Sequence, residues 1–197
     1  MPTDVGDPAS VERLVERNLA AYGRLDAAFN NAAGGGHRPT PLAEVAVEDY
    51  DSALTINLRG VFISMKHEIA ALLDCGGGAI VNMSSTAGVE AVGGLAAHVS
   101  SKHGVIGPTK SAALDYAEQG IRINAVAPGP ILTDRLEQAG EEMQRQAGQA
   151  TAMRRIGRPE EVAAAVVWLC SDAAPITGAT LPIDGGKLAG MAPFRRG

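Results

Sequence analysis

The chain has 197 residues, of which 46% are hydrophobic and 20% charged, with a net charge of −5. That is enough chain to bury one core, and the acidic balance with only 4% aromatics argues against a basic or base-stacking nucleic-acid surface. No apolar run nears the roughly 18 residues of a membrane span, Cys75 and Cys170 lack the spacing of a metal or redox pair, and MPTDVGDPAS has no signal pattern; the expectation is a cytoplasmic chain without metal, membrane or nucleic-acid partner.

Asp7-Pro8 is a helix start, a capping carboxylate followed by a residue suited to the first turn. Val11, Leu14, Val15 and Leu19 give that helix one apolar face, and Gly23 ends it. Residues 25–30 read as a strand entering an Asn30-Asn31-Ala32-Ala33 turn, with Gly34-Gly35-Gly36 behind it. Residues 48–73 form the longest helical pattern, with Tyr50, Leu54, Val61, Met65, Ile69 and Leu72 on one face. Asn57 falls on that same apolar face, where a polar group needs partners or costs about 1–3 kcal/mol.

Ala79-Ile80-Val81 reads as a buried strand that ends in Ser84-Ser85. After a Gly-rich loop, His98 and Lys102 open a helix that runs to about residue 118. Their spacing puts them on one face, one turn apart. A strand-tip hydroxyl, an imidazole and an ammonium could then converge on one point and handle a proton. The bland alternatives stay open: a solvated Lys102, and a His98 that merely starts the helix. Pro108 interrupts this helix at a cost of about 3 kcal/mol or a kink, with Gly104 and Gly107 there to let it bend.

Residues 121–127 are the next buried strand, stopped by Pro128-Gly129-Pro130. Residues 134–157 read as a helical flap in which Leu136, Met143 and Met153 could line a pocket. Pro159 and Glu160-Glu161 start a helix whose core side is Val162, Val166, Val167 and Leu169. Residues 180–183 are the last strand, and 192–197 a loosely ordered tail. Alternating strands and helices imply an α/β fold with a parallel sheet covered on both faces.

Asn30-Asn31-Ala32-Ala33, Asn57, Ser85, the His98-x-Ser-Ser-Lys102 segment and Pro128-Gly129-Pro130-Ile131 together resemble the short-chain dehydrogenase/reductase family, over nearly the whole chain. The resemblance implies a Rossmann-like doubly wound sheet in one partial domain, 1–197. Its first β-α-β portion would be missing, leaving the 25–30 strand with a bare apolar edge. It implies hydride transfer between a nicotinamide and a carbonyl or alcohol, with NAD or NADP as cofactor and a homodimer or homotetramer as the assembly. Asn57, Ser85, His98 and Lys102 would be catalytic. Asn57 would open its helix locally and hold a proton-relay water, Ser85 would orient the substrate carbonyl, and Lys102 would also grip the nicotinamide ribose. Asp4, Val5, Asn31, Ala32, Lys102, Pro128, Ile131 and Thr133 would bind the cofactor. Residues 134–157 would cover the substrate.

Two departures bear on activity. The family's catalytic tyrosine is His98 here, and no GxxxGxG or GxGxxG occurs in the chain. The expectation is therefore a weak or inactive oxidoreductase. Two alternatives stand beside it: a non-catalytic subunit or scaffold pairing through its long helices, and a lyase or isomerase using His98 as base.

Overall fold

In the computed structural model, residues 1–172 and 175–190 are described; the tail 192–197 lies outside the described residues. Four strands, β1 (Ala27–Asn30), β2 (Gly78–Met83), β3 (Ile121–Pro128) and β4 (Thr180–Ile183), form one parallel sheet in that order. The register pairs Asn30 with Asn82, Asn82 with Ala125, and Val126 with Leu181. The C-terminal tips of β1, β2 and β3 thus reach one edge of the sheet, the edge at which parallel α/β sheets bind ligands. Among the described residues β1 pairs only with β2.

The helices form where caps and periodicity require. The Asp7 carboxylate accepts the Ala9 amide at 3.1 Å, Pro8 opens α1 (Pro8–Tyr22), and Gly23 ends it at φ 75°. The long 48–73 pattern resolves into α2 (Val47–Leu54), one π turn (Thr55–Arg59) and α3 (Gly60–Asp74). Within the π turn the Gly60 amide bonds to the Thr55 carbonyl, five residues back, so the ladder skips one carbonyl. The expected apolar face of α1 is only partly covered. Val11 is buried, Val15 and Leu19 are half-buried, and Leu14 is exposed, because α1 rests on α3 rather than on the sheet.

Alternation along each strand builds two cores. Ile80, Ile121 and Ile123 pack with Val61, Met65, Ile69 and Leu72 of α3 and with Val105 and Ala113 of α4 (Ala96–Tyr116). Val81 and Val126 pack on the opposite face with Val162, Val166 and Leu169 of the C-terminal helix (Pro159–Cys170). Val167 of that helix is 68% exposed, which corrects its expected place in the core. The buried set recurs at 162, 166 and 169, and Val167 stands about 100° around from Val166.

Two further expectations need correction. α4 continues unbroken through Pro108. Gly104 serves a different purpose from bending: a Cβ there would lie 2.6 Å from Leu58, so its absence lets α4 close on the π turn, while Gly107 meets nothing within 4 Å. Residues 134–157 contain α5 (Asp134–Gln138) and α6 (Glu141–Gln149), with α7 (Pro159–Cys170) following. Both cysteines are free thiols, and Cys75 Sγ accepts the Leu25 amide at 3.3 Å. No helix among the described residues is long and apolar enough to cross a membrane.

Candidate functional site

The site is built where the tip of β2 meets the start of α4. Two bonds join them. Ser84 Oγ donates to the Lys102 carbonyl at 2.9 Å, and Lys102 Nζ donates to the Met83 carbonyl at 2.8 Å. Lys102 is only 4% exposed, and burial pulls its pKa down to about 8. An ammonium has three donors. One goes to Met83, and the other two have no protein partner among the described residues.

His98 lies one turn before Lys102, half-buried at the start of α4. Burial lowers its pKa, and the positive charges of Lys102 and Arg135 lower it further. Its ring borders a small cleft with Gly35, Gly36, His37, Leu95 and Arg135. Ser85 sits at the strand end in extended conformation, and its Oγ accepts the Ala87 amide at 3.1 Å, capping a short turn. That bond leaves its hydroxyl proton uncommitted.

Asn57 is buried in the π turn and clamps the loop after β1. Its Oδ1 accepts the Gly34 amide at 2.9 Å, and its Nδ2 donates to the Gly34 carbonyl at 3.0 Å and to Ser101 Oγ at 3.5 Å. Gly35, next along, has φ 66°, and a Cβ there would fall 2.8 Å from the Ser52 backbone. The glycine run thus threads between α2 and the cleft. Beneath the turn, Asn30 Nδ2 donates to Glu68 Oε2 at 3.0 Å and to Asn82 Oδ1 at 2.9 Å. Asn82 Nδ2 in turn donates to Thr109 Oγ1 at 2.9 Å. Burial raises the Glu68 carboxyl to about 7, and the Asn30 bond opposes that rise.

The expected cofactor residues fall into two groups. Val5 lines a narrow crevice with Asn30 and Ala32 and packs over Gly60. Asn31 follows on the exposed side of the same turn. The Asp4 carboxylate turns to its own loop and accepts the Gly6 amide at 2.8 Å. Pro128, Ile131 and Thr133 continue from β3. Gly129 and Leu132 amides bond to the Ile183 and Gly157 carbonyls, and the Thr133 amide bonds back to Ile131. Ile131 packs against the α7 core, bordering a separate pocket with Met153 and Asp184. Met143, expected as a pocket residue, is 49% exposed and is absent from that lining.

These residues fit the nicotinamide-riboside end of a dinucleotide. A buried ammonium with two unspent donors at the sheet edge suits a ribose diol. Neither glycine run makes a phosphate turn. Gly34-Gly35-Gly36 is held by Asn57 and α2, and Gly76-Gly77-Gly78 joins α3 to the opposite end of β2. His37, Arg135 and the Glu68 network are absent from the sequence expectations. Only the basic pair His37-Arg38 behind three glycines could have drawn attention to the first.

A family model described as "Enoyl-(Acyl carrier protein) reductase" matches residues 1–187. A 2,5-dichloro-2,5-cyclohexadiene-1,4-diol dehydrogenase of Sphingobium indicum is 43% identical over 194 residues, 94% of this chain and 76% of that protein. A short chain dehydrogenase/reductase of Aspergillus oryzae, astE, is 37% identical over 190 residues, 93% of this chain and 72% of that one. The chain belongs to the short-chain dehydrogenase/reductase family. A solved structure, ElxO with NADP bound, superposes with a TM-score of 0.90 at 34% identity, covering 95% of this chain and 77% of that one. The Rossmann-like parallel sheet with helices on both faces is therefore the family's sheet.

Proposed function

We propose that this chain oxidises a secondary alcohol to the carbonyl, and more slowly reduces the carbonyl, with NAD or NADP as the hydride partner and His98 as general base. One observation carries the reading: His98 stands one helical turn before a buried lysine ammonium at a strand tip. The relatives are dehydrogenases and reductases, and a structural neighbour holds NADP. Both favour redox chemistry over a lyase, an isomerase or a scaffold.

A nicotinamide, when bound, takes up or returns the hydride. The chain's own residues do the rest. Neutral His98 takes the hydroxyl proton as the hydride leaves the same carbon. The Ser85 hydroxyl donates to the substrate oxygen. Lys102 offers its two unspent donors to the ribose, and burial, together with the charges of Lys102 and Arg135, favours neutral His98 and so its role as a base. The skipped carbonyl of the π turn supports the relay water assigned to Asn57, whose side chain positions the turn at Gly34. Asn31, Ala32, Val5 and Asp4 border the adenosine side, and Pro128, Ile131 and Thr133 the nicotinamide side. Residues 134–157 cover the substrate, with Arg135 already at the cleft.

His98 takes the family's tyrosine position. Its shorter side chain leaves the ring nitrogen short of the tyrosine oxygen's position, and a misplacement of even about 1 Å can cost about 100-fold in rate. Phe62 on α3 and Leu114 on α4, 57% and 83% exposed, support self-association through these helices. The test follows nicotinamide absorbance with secondary alcohols and with ketones for the chain, His98→Ala and His98→Tyr. The expected result is weak oxidation that His98→Ala abolishes, and a reductive rate raised by His98→Tyr. Activity unmoved by His98→Ala would refute the reading.

A further inference from the structure

The cleft beside His98 carries a charge pattern that the reaction alone does not need. Its lining is Gly35, Gly36, His37, Leu95, His98 and Arg135, with no carboxylate among them. This stands against a chain whose net charge is −5. Arg135 has no ion-pair or hydrogen-bond partner for its guanidinium among the described residues, although Arg24, Arg145 and Arg155 each pair with an acid. His37 is fixed in place: its Nδ1 meets the Arg38 carbonyl at 2.7 Å, and its Nε2 faces the Ala97 amide at 3.4 Å. Lys102, behind His98, adds a further positive charge. The charges of Arg135 and Lys102 thus stand near one small opening with no carboxylate in its lining to balance them.

We propose that this cleft selects a small substrate with a carboxylate close to the reacting carbon, a hydroxy acid or the matching keto acid, with Arg135 as the anion-holding residue. The proposal rests on the oxidoreductase reading for its reaction but not for its binding site. The volume of 170 Å³ sets the size. At about 30 Å³ for each water, it holds roughly six waters, room enough for a three- or four-carbon acid. Guanidinium is suited to the task because its planar fork matches a carboxylate in two parallel bonds. Placed there, the carboxylate would set its neighbouring hydroxyl at His98. The Sphingobium relative is named for an uncharged diol, so this preference would belong to this chain's own flap and glycine loop.

The experiment compares lactate with 2-propanol, and 3-hydroxybutanoate with 2-butanol, each pair differing by methyl for carboxylate. Binding to the full chain is read near pH 7 from the ring proton signals of His98 and His37 by NMR. The expected result is saturable shifts with the hydroxy acids and none with the alcohols. Arg135→Gln weakens hydroxy-acid binding by at least about tenfold, and Arg135→Lys recovers part of it. Where turnover is measurable, the hydroxy-acid preference falls by the same factor, through KM. Rings unmoved by hydroxy acids, or moved equally in Arg135→Gln, would overturn the proposal. Hydroxy-acid binding without any turnover would leave the anion site standing and count against the redox reading alone.

Discussion

Replacing Glu68 with Gln should make the protein more stable, and only above a definite pH. Glu68 is half-buried on α3, bonded to Asn30, and its carboxyl is raised from 4.5 to about 7 by burial. A carboxyl raised in the folded state holds its proton between those values while the unfolded chain releases it. Stability therefore falls as pH rises from about 4.5 to about 7, and the penalty is complete above that. The gap of 2.5 pH units, 7 less 4.5, at about 1.36 kcal/mol each gives a ceiling of about 3 kcal/mol. Residual solvent contact reduces this to about 2 kcal/mol. Gln accepts the same Asn30 bond without a charge. Urea unfolding of both proteins should then give a Glu68→Gln advantage of about 2 kcal/mol near pH 8, shrinking below about 1 kcal/mol near pH 5. An advantage equal at both pH values, or a less stable variant at pH 8, would refute the assignment of a buried charge penalty to this carboxyl.

Lys102→Met should abolish turnover yet stabilise the fold by about 1–2 kcal/mol near pH 7. A lysine lowered to about 8 carries its burial penalty fully below pH 8 and sheds it between 8 and 10.5; the gain in urea unfolding should vanish by that upper limit. Asn57→Ala leaves the Gly34 amide and carbonyl without their side-chain partner, and should cost about 2–3 kcal/mol by thermal or urea unfolding. Gly35→Ala forces a side chain into φ 66° against the Ser52 backbone; it should cost about 1–3 kcal/mol and weaken hydroxy-acid binding in the same NMR titration. Alcohol oxidation should persist to lower pH than a base with the ordinary imidazole pKa would allow, because burial and the charges of Lys102 and Arg135 hold His98 below its ordinary value. It should decline above about 8, where Lys102 loses its charge. A profile falling already at pH 7 would place the proton elsewhere.

Much of the chain was legible because local chemistry decided it. Asp7, Pro8 and Gly23 bracket α1, and the run 180–183 is β4. The β-branched run at 79–81 marks β2, and its family-like surroundings carry the fold. What stayed hidden depends on contacts between distant segments. Asn30, Glu68, Asn82 and Thr109 form one network, yet nothing near any of them in sequence announces the others. Gly104 looks like a hinge for Pro108 until Leu58 is seen against it. Val167 looks like core because it is apolar, but its angle around α7 turns it outward. At the site, His98 and Lys102 were readable from their spacing. Arg135 was not, because a lone arginine at the start of α5 gains meaning only from the cleft it borders.

Lys102 is moored to the sheet by its carbonyl, through Ser84, and by its ammonium, through Met83. The strand tip and the helix start therefore travel together as one block, and Gly88 lies against the staple, where a Cβ would run into Ser84 Oγ and fall 2.6 Å from the Lys102 carbonyl oxygen. The residues beyond it, 89–94, take no part in either bond and can change without displacing the charge. Evolution, or an engineer, can reshape the mouth of the cleft there while the chemistry beneath stays in register.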